Sequence, residues 1–199
     1  MGWFKKKDGI ASIQKAGTEA GELTEHEIKN PFILSRFHES GRITLPKDFF
    51  KDPYIIGFCI ASIVFLADGF TAKRKIEMKE DEKQAFMLSA IGQLVGAEEV
   101  AGFLSNHRSM GDHSELAKGK KSGRALMISI AIPSAFTQAV DQTDPFVLEA
   151  VRLSKERELF VEEASALLSI QNVDAQSSAL TIALRNVTIE AYINKTFLN

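Results

Sequence analysis

Cysteine is nearly absent from this chain of 199 residues, Cys59 being the only one. That excludes an internal disulfide and a cysteine metal cage. Cys59 lies in an apolar run and reads as a small buried core residue, in keeping with a reducing compartment. An excess of one charge is missing too: 24 Lys and Arg stand against 26 Asp and Glu. A general nucleic-acid binder needs a strong basic excess, so nucleic acid is not an expected partner. Long apolar runs are also lacking. The longest, Tyr54 to Ala67, has 14 residues, a helix of ~21 Å against a hydrocarbon core of ~30 Å. It reads as a buried core helix. No apolar stretch follows the early lysines, as a secretory signal would require, and the expected location is the cytoplasm. Catalytic signatures are missing as well. No His-Glu-x-x-His, Glu-x-x-His or Gly-x-Ser-x-Gly occurs, so an enzyme is the less favoured expectation.

What is present is helical patterning. Residues 1–30 are polar and spaced by Gly2, Gly9, Gly17 and Gly21, which predicts a loosely ordered, flexible arm with short helical pieces. Trp3 and Phe4 beside Lys5, Lys6 and Lys7 offer a peripheral contact with an anionic membrane surface. Residues 31–199 then read as one all-helical domain. Pro31, Gly41 and Pro46 mark a connector, and Asp52-Pro53 is a helix start, an N-cap acceptor followed by proline at the first helical position. The apolar run behind it predicts the central, most buried helix, stopping at Asp68-Gly69.

A second helix opens at Glu80, Asp81 and Glu82 with the stripe Phe86, Met87, Ala90, Ile91, Leu94, Val95. Ala97 to Ser105 reads as a short helix, and residues 106–123, carrying Gly111, Gly119 and Gly123, as a polar connector. Residues 126–132 alternate enough to permit a strand, yet their helical neighbours favour helix. Asp144-Pro145 repeats the start signal ahead of Phe146, Ala150, Leu153, Phe160, Ala164 and Leu167, with Arg157 in one slot of the stripe. Asp174 to Phe197 predicts a last helix through Leu180, Ala183, Leu184, Val187 and Ala191. The expected fold is a single-domain, all-α bundle of about six to eight helices.

Several constellations bear on chemistry. Asp68 at the expected end of one helix, with Glu80 and Glu82 at the start of the next, can converge across a turn. Such oxygen clusters suit a hard divalent cation. No other cofactor is indicated. His107, Asp112 and His113 crowd a polar stretch and define an alternative, a small-ligand or enzymatic pocket between helices. Gly119-Lys120-Lys121-Ser122 has the end of a phosphate loop but Ser114 where the first glycine belongs. Basic residues cluster at Lys73, Arg74, Lys75 and at Lys118, Lys120, Lys121, Arg124, without interleaved aromatics. The segment Gly41-Arg42-Ile43-Thr44-Leu45-Pro46-Lys47 resembles a stretch of AbrB-type transcription regulators and implies a third function, DNA binding, although no supporting strands flank it.

Another resemblance spans more of the chain. The start Met1-Gly2-Trp3-Phe4-Lys5, the apolar helix ending Ala67-Asp68-Gly69, Glu80-Asp81-Glu82-Lys83-Gln84, and Gly92-Gln93-Leu94-Val95-Gly96-Ala97-Glu98-Glu99 together resemble the tellurite-resistance TerB-like family, mainly over residues 53–104. That resemblance implies an all-helical bacterial fold, membrane-linked stress-response complexes, and metal binding through Asp68, Glu80 and Glu82. The gap from Gly69 to Glu80 is longer than the family's own, and the motif is not repeated in the second half. The leading expectation is thus a non-enzymatic helical adaptor with a protein partner, stress-related and membrane-proximal.

Overall fold

Helix-start chemistry at Asp52-Pro53 and Asp144-Pro145 and the apolar stripes between them set the architecture seen in a computed structural model, which describes residues 2–35, 45–75, 77–167 and 174–198. Among the described residues all regular structure is helical and no strand occurs, as the patterning expects. The chain divides into two compact units, Met1–Gly123 and Arg124–Asn199.

The first unit holds α1 (Gly2–Ser35), α2 (Pro53–Arg74), α3 (Glu80–Val95), α4 (Val100–Ser109) and the beginning of α5 (Ser114–Ala131). Asp52 caps α2 by accepting from the Ile55 N–H at 3.1 Å, and Pro53 fills the first turn. Tyr54, Ile55, Ile56, Phe58, Cys59 and Ile63 are all buried, so the centre of the unit is the expected one. Burial pushes the Cys59 thiol up to about 12, an inert core group. In α3 the stripe is Phe86, Ala90, Ile91 and Leu94, all buried.

Three expectations are corrected in this unit. Residues 2–30 belong to the continuous helix α1, not to a loose arm cut into pieces. Its inward face is Ile13, Gly17, Ala20, Gly21, Thr24, Glu27 and Ile28, a 4–3 spacing written mostly in small and polar residues, which hydropathy does not register. Thr24 satisfies its hydroxyl on the Ala20 carbonyl at 2.9 Å. The glycines let α1 lie directly on α3: a Cβ on Gly17 would meet the Phe86 carbonyl oxygen at 2.4 Å, and one on Gly21 the Ala90 oxygen at 2.5 Å.

Secondly, α2 does not stop at Asp68-Gly69 but runs on to Arg74, ending at Lys75 in the left-handed conformation (φ 55°). The Phe70 ring packs 5.9 Å from Phe86 and Arg74 lies over it at 5.4 Å, contacts that offset the roughly 1 kcal/mol disadvantage of a helical glycine. At 22 residues α2 is, by length and composition, long and apolar enough to cross a membrane, and half of its most apolar stretch is buried inside the unit. Thirdly, residues 114–123 are not a connector but the first turns of α5. A Cβ on Gly119 would meet the Tyr54 oxygen at 2.1 Å, and one on Gly123 the Phe58 oxygen at 2.4 Å. From α2, a Cβ on Gly57 would meet the Leu116 oxygen at 2.2 Å. These two helices touch backbone to backbone. Gly92 and Gly96 make no backbone contact with another helix among the described residues. Gly92 meets only a Val100 methyl at 3.7 Å, and Gly96 ends α3 at φ 88°.

The second unit holds the end of α5, α6 (Phe136–Ala139), α7 (Pro145–Leu167), α8 (Ala175–Arg185) and α9 (Ala191–Ile193). Residues 126–131 are helical, within α5, and Pro133 opens a 3-10 turn behind them. Phe146 and Leu153 are half-buried, Ala150 is buried, and the side chains of Phe160, Ala164 and Leu167 lie outside the described part. The last helix is corrected in its facing. A π segment, Asn186–Glu190, follows α8, and another, Asn194–Leu198, follows α9. The longer π turn rotates the inward face to Thr188, Ile189 and Ile193 and leaves Ala191 exposed. Arg157 now has its reason. With the Asn186 amide oriented to satisfy its neighbours, its oxygen accepts from the Arg157 guanidinium at 2.9 and 3.2 Å, while its nitrogen donates to the Ile182 carbonyl and Glu190. A cation inside an apolar stripe is the clamp of the π turn.

Candidate functional site

The residues expected to carry chemistry are mostly committed to helix ends. Asp68 is exposed in the body of α2, and Glu80 is exposed at the start of α3. Glu82 accepts from the Lys79 N–H at 2.9 Å, one half of a capping box. Among the described residues no three His, Cys, Asp or Glu side chains stand close enough to hold a metal ion, so Asp68, Glu80 and Glu82 are not gathered into a site. The early end expected for α2 would have carried Asp68 to the turn, and the continued helix keeps it away.

His107 stands on α4, and Asp112 and His113 lie in the turn before α5. His113 accepts from the Glu115 N–H at 3.2 Å, capping α5, and Asp112 is exposed beside it. His107 is half-buried on α4, and its pKa is lowered by burial first and by Lys120 and Arg108 second. Gly119-Lys120-Lys121-Ser122 lies inside α5, with Gly119 against α2 and Ser122 buried, so its backbone is occupied by helix bonds and it forms no phosphate loop. Lys73, Arg74 and Lys75 lie exposed at the end of α2. Of the Gly41 to Lys47 segment, residues 41–44 lie outside the described residues, and Leu45 to Lys47 lead into the 3-10 turn Phe49–Lys51. Trp3 to Lys7 fall in the first turns of α1, and their side chains lie outside the described part.

The sequence reading missed a cleft of about 550 Å³ in the second unit, within the 300–1,000 Å³ span of ligand-sized pockets. Pro133, Ser134, Phe136 and Thr137 form one wall. Val151, Ser154, Lys155 and Glu158 come from α7, and Asp174, Gln176, Ser177 and Leu180 from the start of α8. Some of the polar groups here serve the fold. Asp174 caps α8, accepting from the Ser177 N–H at 3.1 Å and from its hydroxyl at 2.6 Å, and these bonds hold its carboxyl below the ordinary carboxylate value. The Ser154 hydroxyl donates back to the Val151 carbonyl at 2.9 Å. Lys155 and Glu158 are different. They sit one turn apart on α7, both line the cleft, and among the described residues neither makes a hydrogen bond or an ion pair. A Lys and a Glu three apart on a helix ordinarily stand within reach of each other. No short motif announces this cleft, because its residues are scattered over four elements between 133 and 180. The one available signal was the pair of charges beside the apolar stripe of α7.

Compared with protein-family models, curated proteins and solved structures, the chain matches none. Its reading therefore rests on its own residues.

Proposed function

We propose that this chain is a non-enzymatic helical interaction protein, an adaptor, whose contact surface is the cleft of the second unit. The observation that carries the reading is the Lys155–Glu158 pair, two opposite charges facing a concave surface without partners among the described residues. Their uncommitted state contrasts with Asp52, Glu82, His113 and Asp174, each of which accepts a backbone N–H at a helix start. Complementary charges in such a place set specificity and approach rate for a protein partner more than raw affinity. The resemblance to TerB-like proteins supports a stress-related, membrane-proximal setting on the cytoplasmic side. In that setting Trp3, Phe4, Lys5, Lys6 and Lys7 supply a peripheral contact with lipid.

The test is affinity recovery with the tagged full chain from its own cell, split into soluble and membrane fractions. Three forms are compared: the natural chain, the combined Lys155→Glu, Glu158→Lys variant, and a chain lacking Met1 to Lys7. The natural chain is expected to recover one consistent protein, and the charge-swapped chain to lose it. Truncation is expected to remove recovery from the membrane fraction only. Recovery that ignores the charge swap sinks the reading.

A further inference from the structure

Resting on that reading of the cleft, we propose that its occupant is a cationic side chain with an apolar stem, a lysine or arginine of the partner's segment. The argument is one of depth. Lys155 and Asp174 are exposed and of opposite sign, so at the mouth of the cleft they offset each other. Glu158 is half-buried and makes no bond among the described residues, so it is the net charge left inside. A charge partly withdrawn from water attracts its counter-charge more strongly than one at the rim, where salt screens it. An anionic ligand meets repulsion at Glu158, and a neutral one leaves that carboxylate without a counter-charge. Phe136, Val151 and Leu180 supply apolar wall beside it. Lysine and arginine side chains bury a methylene stem along apolar surface while the head keeps a polar partner. The cleft offers both halves of that demand.

The experiment uses the full chain and a fluorescein-labelled Gly-Gly-Arg-Gly-Gly peptide, followed by fluorescence anisotropy. Two matched peptides carry citrulline, which keeps the shape and removes the charge, or glutamate in place of arginine. The arginine peptide is expected to bind about tenfold more tightly than the citrulline one, the scale of one charge-assisted hydrogen bond. Glu158→Gln is expected to abolish that difference. Lys155→Gln, which removes the like charge at the mouth, is expected to strengthen binding of the arginine peptide by up to about threefold. Thermal melting of Glu158→Gln at the natural midpoint shows that the fold is kept. Equal affinity for arginine and citrulline, no binding of the arginine peptide, or a Glu158→Gln chain that still prefers arginine overturns the proposal. If the charge-swapped chain loses its partner while no arginine preference exists, the cationic class falls and the interaction reading stands. If partner recovery ignores the swap, the interaction reading itself falls.

Discussion

All 13 glycines of this chain lie in the first unit, and the second, from Arg124 onward, has none. The two units are accordingly built in different ways. In the first, α1 meets α3 and α2 meets α5 backbone to backbone, through Gly17, Gly21, Gly57, Gly119 and Gly123. In the second, helices are joined through side chains. Thr181 donates to the Ser129 hydroxyl at 3.2 Å between α8 and α5, and Arg157 clamps Asn186 between α7 and the π turn. Contact without side chains leaves little room for a cleft between the paired helices. The cleft lies in the second unit, among elements that meet through side chains. The lesson is that glycine within a helix has two meanings. Where another backbone lies against it, it is a contact residue, and where nothing does, as at Gly69, it is only a cost to the helix.

The largest expected effect breaks that contrast at its strongest point. Gly119→Ala places a methyl against the Tyr54 carbonyl, and α2 and α5 must part to admit it. Overpacking of this kind costs about 1–3 kcal/mol, and more where backbone has to move. A urea titration should show the loss. Next in size, Arg157→Ala removes the clamp of the π turn and strands the Asn186 amide oxygen. The expected loss is about 1–3 kcal/mol, with amide exchange rising in residues 186–198. Gly69→Ala should act in the opposite sense to Gly119→Ala. No atom lies within 4 Å of the added methyl, so the helix gain of up to about 1 kcal/mol is kept, read as a higher denaturation midpoint.

The smallest effect concerns pH. In the fold the pKa of His107 is lowered below the ordinary histidine value, chiefly by burial and then by Lys120 and Arg108. The fold therefore favours the neutral ring, and its contribution is present above the unfolded value and lost as pH falls through the folded one. Between about pH 7.5 and 5.5 the natural chain should lose more thermal stability than His107→Gln. Identical slopes would remove His107 from the account.

Much of the fold was legible because it rests on chemistry confined to a few neighbouring residues. Asp52-Pro53 marked the start of α2, the stripe from Phe86 to Leu94 marked α3, and the setting of Cys59 announced its burial. The glycine-built contacts were not legible. Glycine carries no hydropathy, so the inward face of α1 reads as polar and spaced, and the first turns of α5 read as a connector. The end of α2 was misplaced for the same reason, since the ring contacts that carry the helix past Gly69 come from α3. The acids Asp68, Glu80 and Glu82 were visible as a group in sequence only, because the continued helix keeps Asp68 away from the turn. The cleft was invisible for the converse reason. Its residues share no local pattern, and only the 3-10 turn at Pro133 with α6, α7 and α8 brings them together. Arg157 was noticed as an exception in its stripe, yet its partner lies in a π turn that a 3.6-residue period does not anticipate.

The central claim is that the side-chain-built unit binds and the glycine-built unit supports. Hydrogen–deuterium exchange on the full chain, alone and with the partner it recovers, addresses that claim most directly. The account predicts added protection in residues 133–137, 151–158 and 174–180, with α1, α2 and α3 unchanged. Protection confined to α1 or to the α4–α5 turn, with those three stretches unaltered, would contradict it.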